Sequence, residues 1–472
     1  MKRKPLALLA VTVIATGFAC GAGHTAEQKS KTPPPLPSGT PTTSASAPPK
    51  PDRAKEIEKL AAQAYVFGYP ALFMERQERT MTTNVRLPLG TFAHASKPPR
   101  PEDADVLPSR DTLLSSAWLE LHDGAWTLKL PDMGNRWFAI QMFDAYGEPI
   151  GVVESSKATV AIEGPGFAGA APPGATEIKS TTSTVWILGR TRVLADTDTP
   201  RVAALLKKWQ LAPLPPTVAP KDLPPPPLGR PQDLKFGGPE IFDELGEIWK
   251  TQPPPKDVTD ALAQEAHLTL QDFATAGIGP GLRPSTTLSP ELVASVAQGI
   301  KDGAEEVDQR LEKLATRENG WDVDRSFGAR GAAPLTQAAW VLRGLDWPFA
   351  KDGIVFIGRV DESNRVLSGA HEYVIHLDKT PARAFYSVTM YSGRTAALLP
   401  GAKRWSVDGS TLKKNSDGSV DVALRADAAP PKTPDSNWLP APKNEAFMVA
   451  LRLHDPDPAA SSWSPPAIKR IQ

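Results

Sequence analysis

Cysteine is almost missing: Cys20 is the single one in 472 residues. No intramolecular disulfide can form, which excludes a small cross-linked scaffold. An excess of charge of one sign is missing as well. The 53 basic residues balance 53 acidic ones, so the chain has no basic surplus for nucleic acid or for a polybasic membrane patch. Beyond the N-terminal region no apolar run is long enough to span a bilayer. The phosphate-loop, His-Glu-x-x-His and Gly-x-Ser-x-Gly patterns do not occur, leaving nucleotide, zincin and α/β-hydrolase chemistry unsupported. Gly164, Gly166 and Gly169 have dinucleotide-loop spacing, yet Pro172-Pro173 forbid the helix that would hold a pyrophosphate, so the segment is expected to be a turn. His371 and His376 flank one expected strand but, five apart, point to opposite faces. The pairs Asp196/Asp198, Asp322/Asp324 and Asp455/Asp457 stop short of a calcium loop, and solvated turns are expected there. Neither a metal nor a cofactor is expected.

What is present begins with a charged start, Met1 to Lys4, followed by an apolar run from Leu6 to Ala19 that ends in Gly17-Phe18-Ala19-Cys20. This is the layout of an export signal, and the small residues before Cys20 suit a signal peptidase that acts after the thiol is lipidated. Gly17 stands where Leu is usual, so cleavage without lipidation at Ala19 or Ala26 is the alternative. Gly21 after the cysteine points to the periplasmic face of the outer membrane, or to the cell surface, with the lipid as the membrane contact. Residues 20–51 are poor in large apolar side chains and rich in Pro, Ser and Thr, the composition of an unfolded tether.

The rest exceeds what one hydrophobic core supports. Apolar spacing predicts a helix over 53–66, interrupted at Gly68-Tyr69-Pro70. Strands are expected at 117–121, 125–130, 136–143, 158–163 and 184–193, and again at 353–360, 372–377, 384–391, 419–424 and 446–454. Between these blocks come a proline-rich linker at 213–231 and helices at 239–250, 257–276 and from Pro290 onward, the last with Ser289 as N-cap; another helix is expected at 335–345. The expected fold is α+β and multidomain: two antiparallel β-sandwich or jelly-roll-like blocks separated by a helical subdomain. The divisions are signal 1–19, lipidated Cys20 and tether 20–51, first domain 52–200, linker and helices 201–333, and second domain 334–472.

Several strings in order carry a family resemblance. They are Tyr69-Pro70, Arg110-Asp111-Thr112-Leu113, Ser115 to Leu119, Pro131-Asp132, Arg136-Trp137-Phe138, Asp144 and Gly189-Arg190-Thr191 in the first domain. Phe385 to Tyr391, Asp417-Gly418-Ser419, Asn437 to Pro442, Phe447 and Leu451-Arg452-Leu453 follow in the second. The chain resembles bacterial proteins that join domain of unknown function 1254 to domain of unknown function 1214. The resemblance implies jelly-roll-type sandwiches with a helical part and no settled activity. The chain departs from the family pattern at Ser109-Arg110, at Leu114, at His454 and in the turn Asp361 to Asn364.

Asp111, Asp144 and Arg190 stand beside apolar strand sequence, where a charge must find a partner or face a cavity. With Trp118, Tyr391, Asn437 and Trp438 they are the candidate ligand-binding residues; Trp137 is a further aromatic candidate. A buried Asp-Arg pair and core packing are the structural alternatives. The leading functional expectation is a small polar or aromatic ligand held between the β domains. A carboxylate-dependent hydrolase or lyase using Asp111 or Asp144, and a structural protein-binding envelope component, are the other two.

Overall fold

The computed structural model describes residues 53–84, 87–103, 105–122, 124–154, 158–214, 231–426 and 433–471. The expected signal, Cys20 and tether, and the linker between 215 and 230, lie outside the described residues.

Helix α1 runs Arg53–Arg79, straight through the expected interruption, with Pro70 inside it. Proline costs a helix a hydrogen bond and a steric clash, but burial outweighs that cost here. From Ala61 to Met74 nearly every residue is buried, packed under the later helices. Gly68 permits the approach of Leu245, whose side chain occupies the place a Cβ would take.

The first sandwich consists of β1 (Ala93–His94), β2 (Thr112–Glu120), β3 (Ala125–Lys129), β4 (Phe138–Phe143), β5 (Pro149–Val153), β6 (Thr159–Glu163), β7 (Thr176–Lys179), β8 (Thr184–Arg192) and, after helix α2 (Thr199–Leu206), β9 (Gln210–Leu214). One sheet has the order β1-β2-β8-β4-β5 and the other β7-β6-β3-β9. All pairs are antiparallel except β6 with β7. The side-chain alternation of strands sends Leu113, Ala117, Leu119, Ile140, Met142, Val185 and Ile187 into the core between the sheets. It turns Thr112, Ser116, Trp118, Gln141, Trp186, Arg190 and Arg192 to the outer face. Pro213 lies within edge strand β9, where a missing N–H faces away from the ladder; the expected linker therefore starts later than Pro213.

The helical layer holds α1, α3 (Glu240–Thr251), α4 (Lys256–Ala266), α5 (Leu270–Thr275), α6 (Pro284–Thr287), α7 (Pro290–Glu312) and α8 (Pro334–Arg343). Ser289 takes the N-cap position of α7 without a side-chain cap hydrogen bond. The layer shares one core with Trp118, Phe143, Trp186 and Leu188 of the first sandwich. One end of that sandwich's outer face is thereby covered by helices.

The other end is covered by the second sandwich. Its strands are β10 (Thr316–Glu318), β11 (Trp321–Val323), β12 (Gly353–Gly358), β13 (Tyr373–Leu377), β14 (Ala382–Ser392), β15 (Ser406–Asp408), β16 (Val420–Arg425), β17 (Trp438–Pro440), β18 (Phe447–Pro456) and β19 (Lys469–Arg470). They form sheets of order β10-β11-β12-β18-β14-β15 and β17-β16-β13-β19, closed on a core of Phe447, Val449, Leu451 and Leu453 with residues of the opposite sheet. The α+β fold with two sandwich blocks is the one expected from the sequence pattern.

Candidate functional site

Alternation on β18 leaves Met448, Ala450, Arg452 and His454 on the face away from the core, and on β14 it leaves Phe385, Ser387, Thr389 and Tyr391. These side chains meet the outer face of the first sandwich. At one end the seam is apolar, with Val355, Ile357, Tyr391, Leu398, Met448 and Ala450 packed together. At the other it is polar and largely buried.

Asp111, just before β2, is the centre of the polar end. Its Oδ2 accepts from Ser387 Oγ at 2.5 Å and its Oδ1 from Ser406 Oγ at 3.2 Å. Burial pushes its carboxyl above the usual range, although the two hydroxyls and the Arg452 guanidinium pull the other way. Arg452 Nη2 donates to Leu107 O at 2.6 Å and the Tyr391 hydroxyl to Pro108 O at 2.7 Å. Arg192 bridges to Asp408 at 2.8 Å and lies 4.0 Å over the Phe385 ring. Arg190 donates to Gln141 Oε1 and to the Asp346 carbonyl; burial lowers its pKa to about 10. His454 stacks on Phe385 at 4.2 Å and meets the edge of Trp137 at 4.8 Å. Burial first, then Arg452, Arg190 and Arg192, hold its imidazole neutral. Neither His454 ring nitrogen, nor Arg452 Nη1, has a hydrogen-bond partner among the described residues. Such groups cost about 1–3 kcal/mol each when left unpaired.

Where this seam reaches the surface it opens into a cleft of about 410 Å³. One wall is Arg110, Asp111 and Val193 to Asp196; the other is Lys403 to Asp408, Thr411 and Ser436. Arg110 reaches Asp196 at 2.7 Å and lies 4.8 Å over the Trp405 ring. A depression of about 380 Å³ near Asp378, Arg383 and Trp463 belongs to the second sandwich alone, and its Arg383 is closed onto Asp455. The seam cleft is the better candidate because it joins both domains and reaches the buried polar groups behind it.

The sequence candidates divide accordingly. Asp111, Arg190 and Tyr391 come together at the seam, and of these Asp111 lines the cleft. Asp144 lies elsewhere, fixing the hairpin between β4 and β5 by accepting from the N–H groups of Tyr146 and Glu148 at 2.8 and 3.0 Å. Trp118 is stacked on Trp186 at 5.0 Å beneath the helices. Asn437 holds backbone groups of Lys413 and Asp421, and Trp438 donates to Arg425 O at 3.0 Å. Sequence reasoning did not single out Arg192, Lys403, Trp405, Asp408 or His454 as ligand candidates. Arg192, Arg452 and His454 carry a legible signal, since each is a polar residue alternating with buried apolar neighbours. The loop residues 403–405 carry none.

The three Asp pairs are committed to ion pairs or turns: Asp196 to Arg110, Asp198 to Arg136, Asp322 to Arg317, Asp324 to Arg343, Asp455 to Arg383, and Asp457 to the Ala459 N–H. Among the described residues no group of three or more His, Cys, Asp and Glu is placed to hold a metal, and no helix is long and apolar enough to cross a membrane.

The fold is thus a pair of β-sandwiches clasped by a helical layer, with a cleft where the sandwiches meet. Residues 89–213 match the family model described as "Protein of unknown function (DUF1254)" and residues 352–458 that described as "Protein of unknown function (DUF1214)". The chain belongs to the proteins that combine these two domains. It is similar in structure to the VPA0106 protein of Vibrio parahaemolyticus, with TM-score 0.68 and 19% identity over 88% of this chain and 100% of that one. An uncharacterised protein of Burkholderia cenocepacia aligns with TM-score 0.44 and 11% identity over 89% of this chain and 96% of that one. No curated protein matches the chain. The Vibrio likeness concerns the fold alone.

Proposed function

We propose that the protein is an exported cell-envelope lipoprotein, anchored through Cys20, that binds a small polar or aromatic molecule in the cleft between its sandwiches. The observation that carries the binding role is the origin of the cleft walls. Arg110, Asp111 and residues 193–196 lie in the first matched domain, and residues 403–408, 411 and 436 in the second. A site built from both halves gives their union in one chain a use, and concave sites between domains are favoured places for small ligands. The charged start, the apolar run and Cys20 support export and lipidation.

Binding is favoured over acid–base catalysis because the two candidate carboxylates are already engaged. Asp111 is held by two serines and Asp144 by two backbone N–H groups. A thermal-shift screen of the full chain against polar and aromatic metabolites tests the reading, since a ligand bound to the native state alone raises the melting midpoint. A shift that Trp405→Ala and Leu194→Ser remove is the expected result. A screen with no shift, or one untouched by either substitution, removes the cleft from consideration. Labelling with radioactive palmitate, lost in Cys20→Ala, tests the anchor.

A further inference from the structure

We infer that the cleft takes a small organic anion, a monocarboxylate with an apolar body, whose carboxylate pairs with Lys403 and whose body lies along Val193 and Leu194. This inference rests on the binding role proposed above and names the class of ligand.

It follows from which groups around the cleft are still free. Arg110 is paired with Asp196 at 2.7 Å, Arg404 with Asp435 at 3.1 Å, and Asp408 with Arg192 at 2.8 Å. Asp111 is engaged by Ser387 and Ser406. Each carboxylate of the cleft therefore already faces a guanidinium or hydroxyl donors. Lys403 is exposed, lines the cleft and has no ion-pair partner among the described residues. Of the charged side chains that line the cleft, the one left without a partner is this ammonium. A cationic ligand would meet carboxylates that are already paired, whereas an anion would meet an unpaired donor.

The apolar part of the ligand is argued from the wall opposite. Leu194 is 56% exposed, one of four exposed large hydrophobic side chains among the described residues, and it lies between Val193 and Ala195 on the cleft lip. Covering it recovers hydrophobic free energy that the unliganded surface forgoes. A sugar would need a free aromatic face. The candidates Trp118 and Trp438 are buried, and Arg110 lies over Trp405.

The test is calorimetric titration of the full chain with butyrate, hexanoate, benzoate and phenylacetate, each beside its primary amide. At least one acid is expected to bind while its amide does not, and added salt should weaken that binding. Lys403→Gln should weaken it about tenfold and Lys403→Arg should restore most of it, as the loss and return of a charge-assisted contact require. Lys403 is exposed, so its replacement leaves the fold intact. An acid and its amide binding alike, or Lys403→Gln binding the acid as wild type does, overturns the anion assignment and leaves the cleft as the binding site. If these acids and amides do not bind while other compounds in the thermal-shift screen do, the inference fails and the broader reading survives. If no compound of either set binds, both fail.

Discussion

Asp111 and Ser387, 276 residues apart, share a hydrogen bond of 2.5 Å that crosses from the first sandwich to the second. Ser406 completes the contact from a neighbouring strand. Removing the carboxylate strands the Ser387 hydroxyl, while Ser406 keeps Thr389 at 3.0 Å, and leaves the Arg452 charge less compensated. Asp111→Ala should therefore cost about 2–4 kcal/mol in urea unfolding. Asp111→Asn, which keeps an acceptor and suits a site that already raises the acid's pKa, should cost less than half of that. Equal losses in the two variants would show that the contact is not what couples the domains.

Arg190 is 4% exposed and donates to both Gln141 and the Asp346 carbonyl. Asp346 and Asp352 stabilise its charge. Arg190→Ala would leave those buried carboxylates less compensated and Gln141 Oε1 without its donor, a loss of about 3–5 kcal/mol. Arg190→Lys should recover little, because a single ammonium does not reproduce a planar fork directed at two acceptors. Chemical denaturation of the three proteins measures the difference. Full recovery by lysine would mean that charge alone matters at this position.

Three carboxyls between the first sandwich and the helical layer set the pH dependence. Burial raises Glu148 to about 8, Glu120 to about 7 and Asp144 to about 6. Each folded pKa lies above its unfolded value, so the native state binds more protons and stability falls as pH rises. The stabilisation these groups allow is complete below their ordinary range and lost progressively up to pH 8. Asp198 and Asp324, held low against burial by Arg136 and Arg343, act oppositely and lose stability on acidification below about pH 4. The melting midpoint should therefore peak near pH 5. Glu148→Gln, whose amide carries no buried charge, should be more stable than wild type at pH 9 by about 2–4 kcal/mol and should flatten the decline. A wild-type midpoint rising steadily from pH 5 to 8 would contradict the raised carboxyls.

Much of this architecture was legible because alternation and turn residues mark strands directly. The expected strand at 353–360 appears as Gly353–Gly358 and that at 446–454 as Phe447–Pro456. Nine short strands among the described residues were missed; of these, β5 begins with Pro149, β7 is largely exposed, and β9 contains Pro213. The helix break expected at Pro70 did not occur, because burial on nearly all sides outweighs a local propensity. Asp111 and Arg190 were found as polar residues among apolar ones and Tyr391 within a string that carries the family resemblance, whereas Lys403 and Trp405 come from a loop with no periodicity. The departures at Arg110 and His454 fall at the seam. Sequence alone does not show that two strands so distant will face each other.

The helical layer depends on two glycines one turn apart on α7. Gly299 and Gly303 lie against the backbone of α1, and a Cβ at position 303 would stand 2.6 Å from Ala62 O and 3.1 Å from Tyr65 Cβ. Two effects oppose each other in Gly303→Ala. Helix propensity favours alanine by about 1 kcal/mol in a helix interior. Overpacking against a backbone atom, which cannot rotate away as a side chain can, costs about 1–3 kcal/mol and occasionally more. The steric term should win, and Gly303→Val should be worse still, with both helices forced apart and the core around Tyr65 and Val307 opened. Gln298→Ala, on the solvent face of the same helix, gains propensity without the clash and should be neutral or slightly stabilising. Thermal melts followed by circular dichroism compare the three; a stabilised Gly303→Ala would mean that α1 and α7 can move apart without loss, and that the close approach is not what holds the layer together.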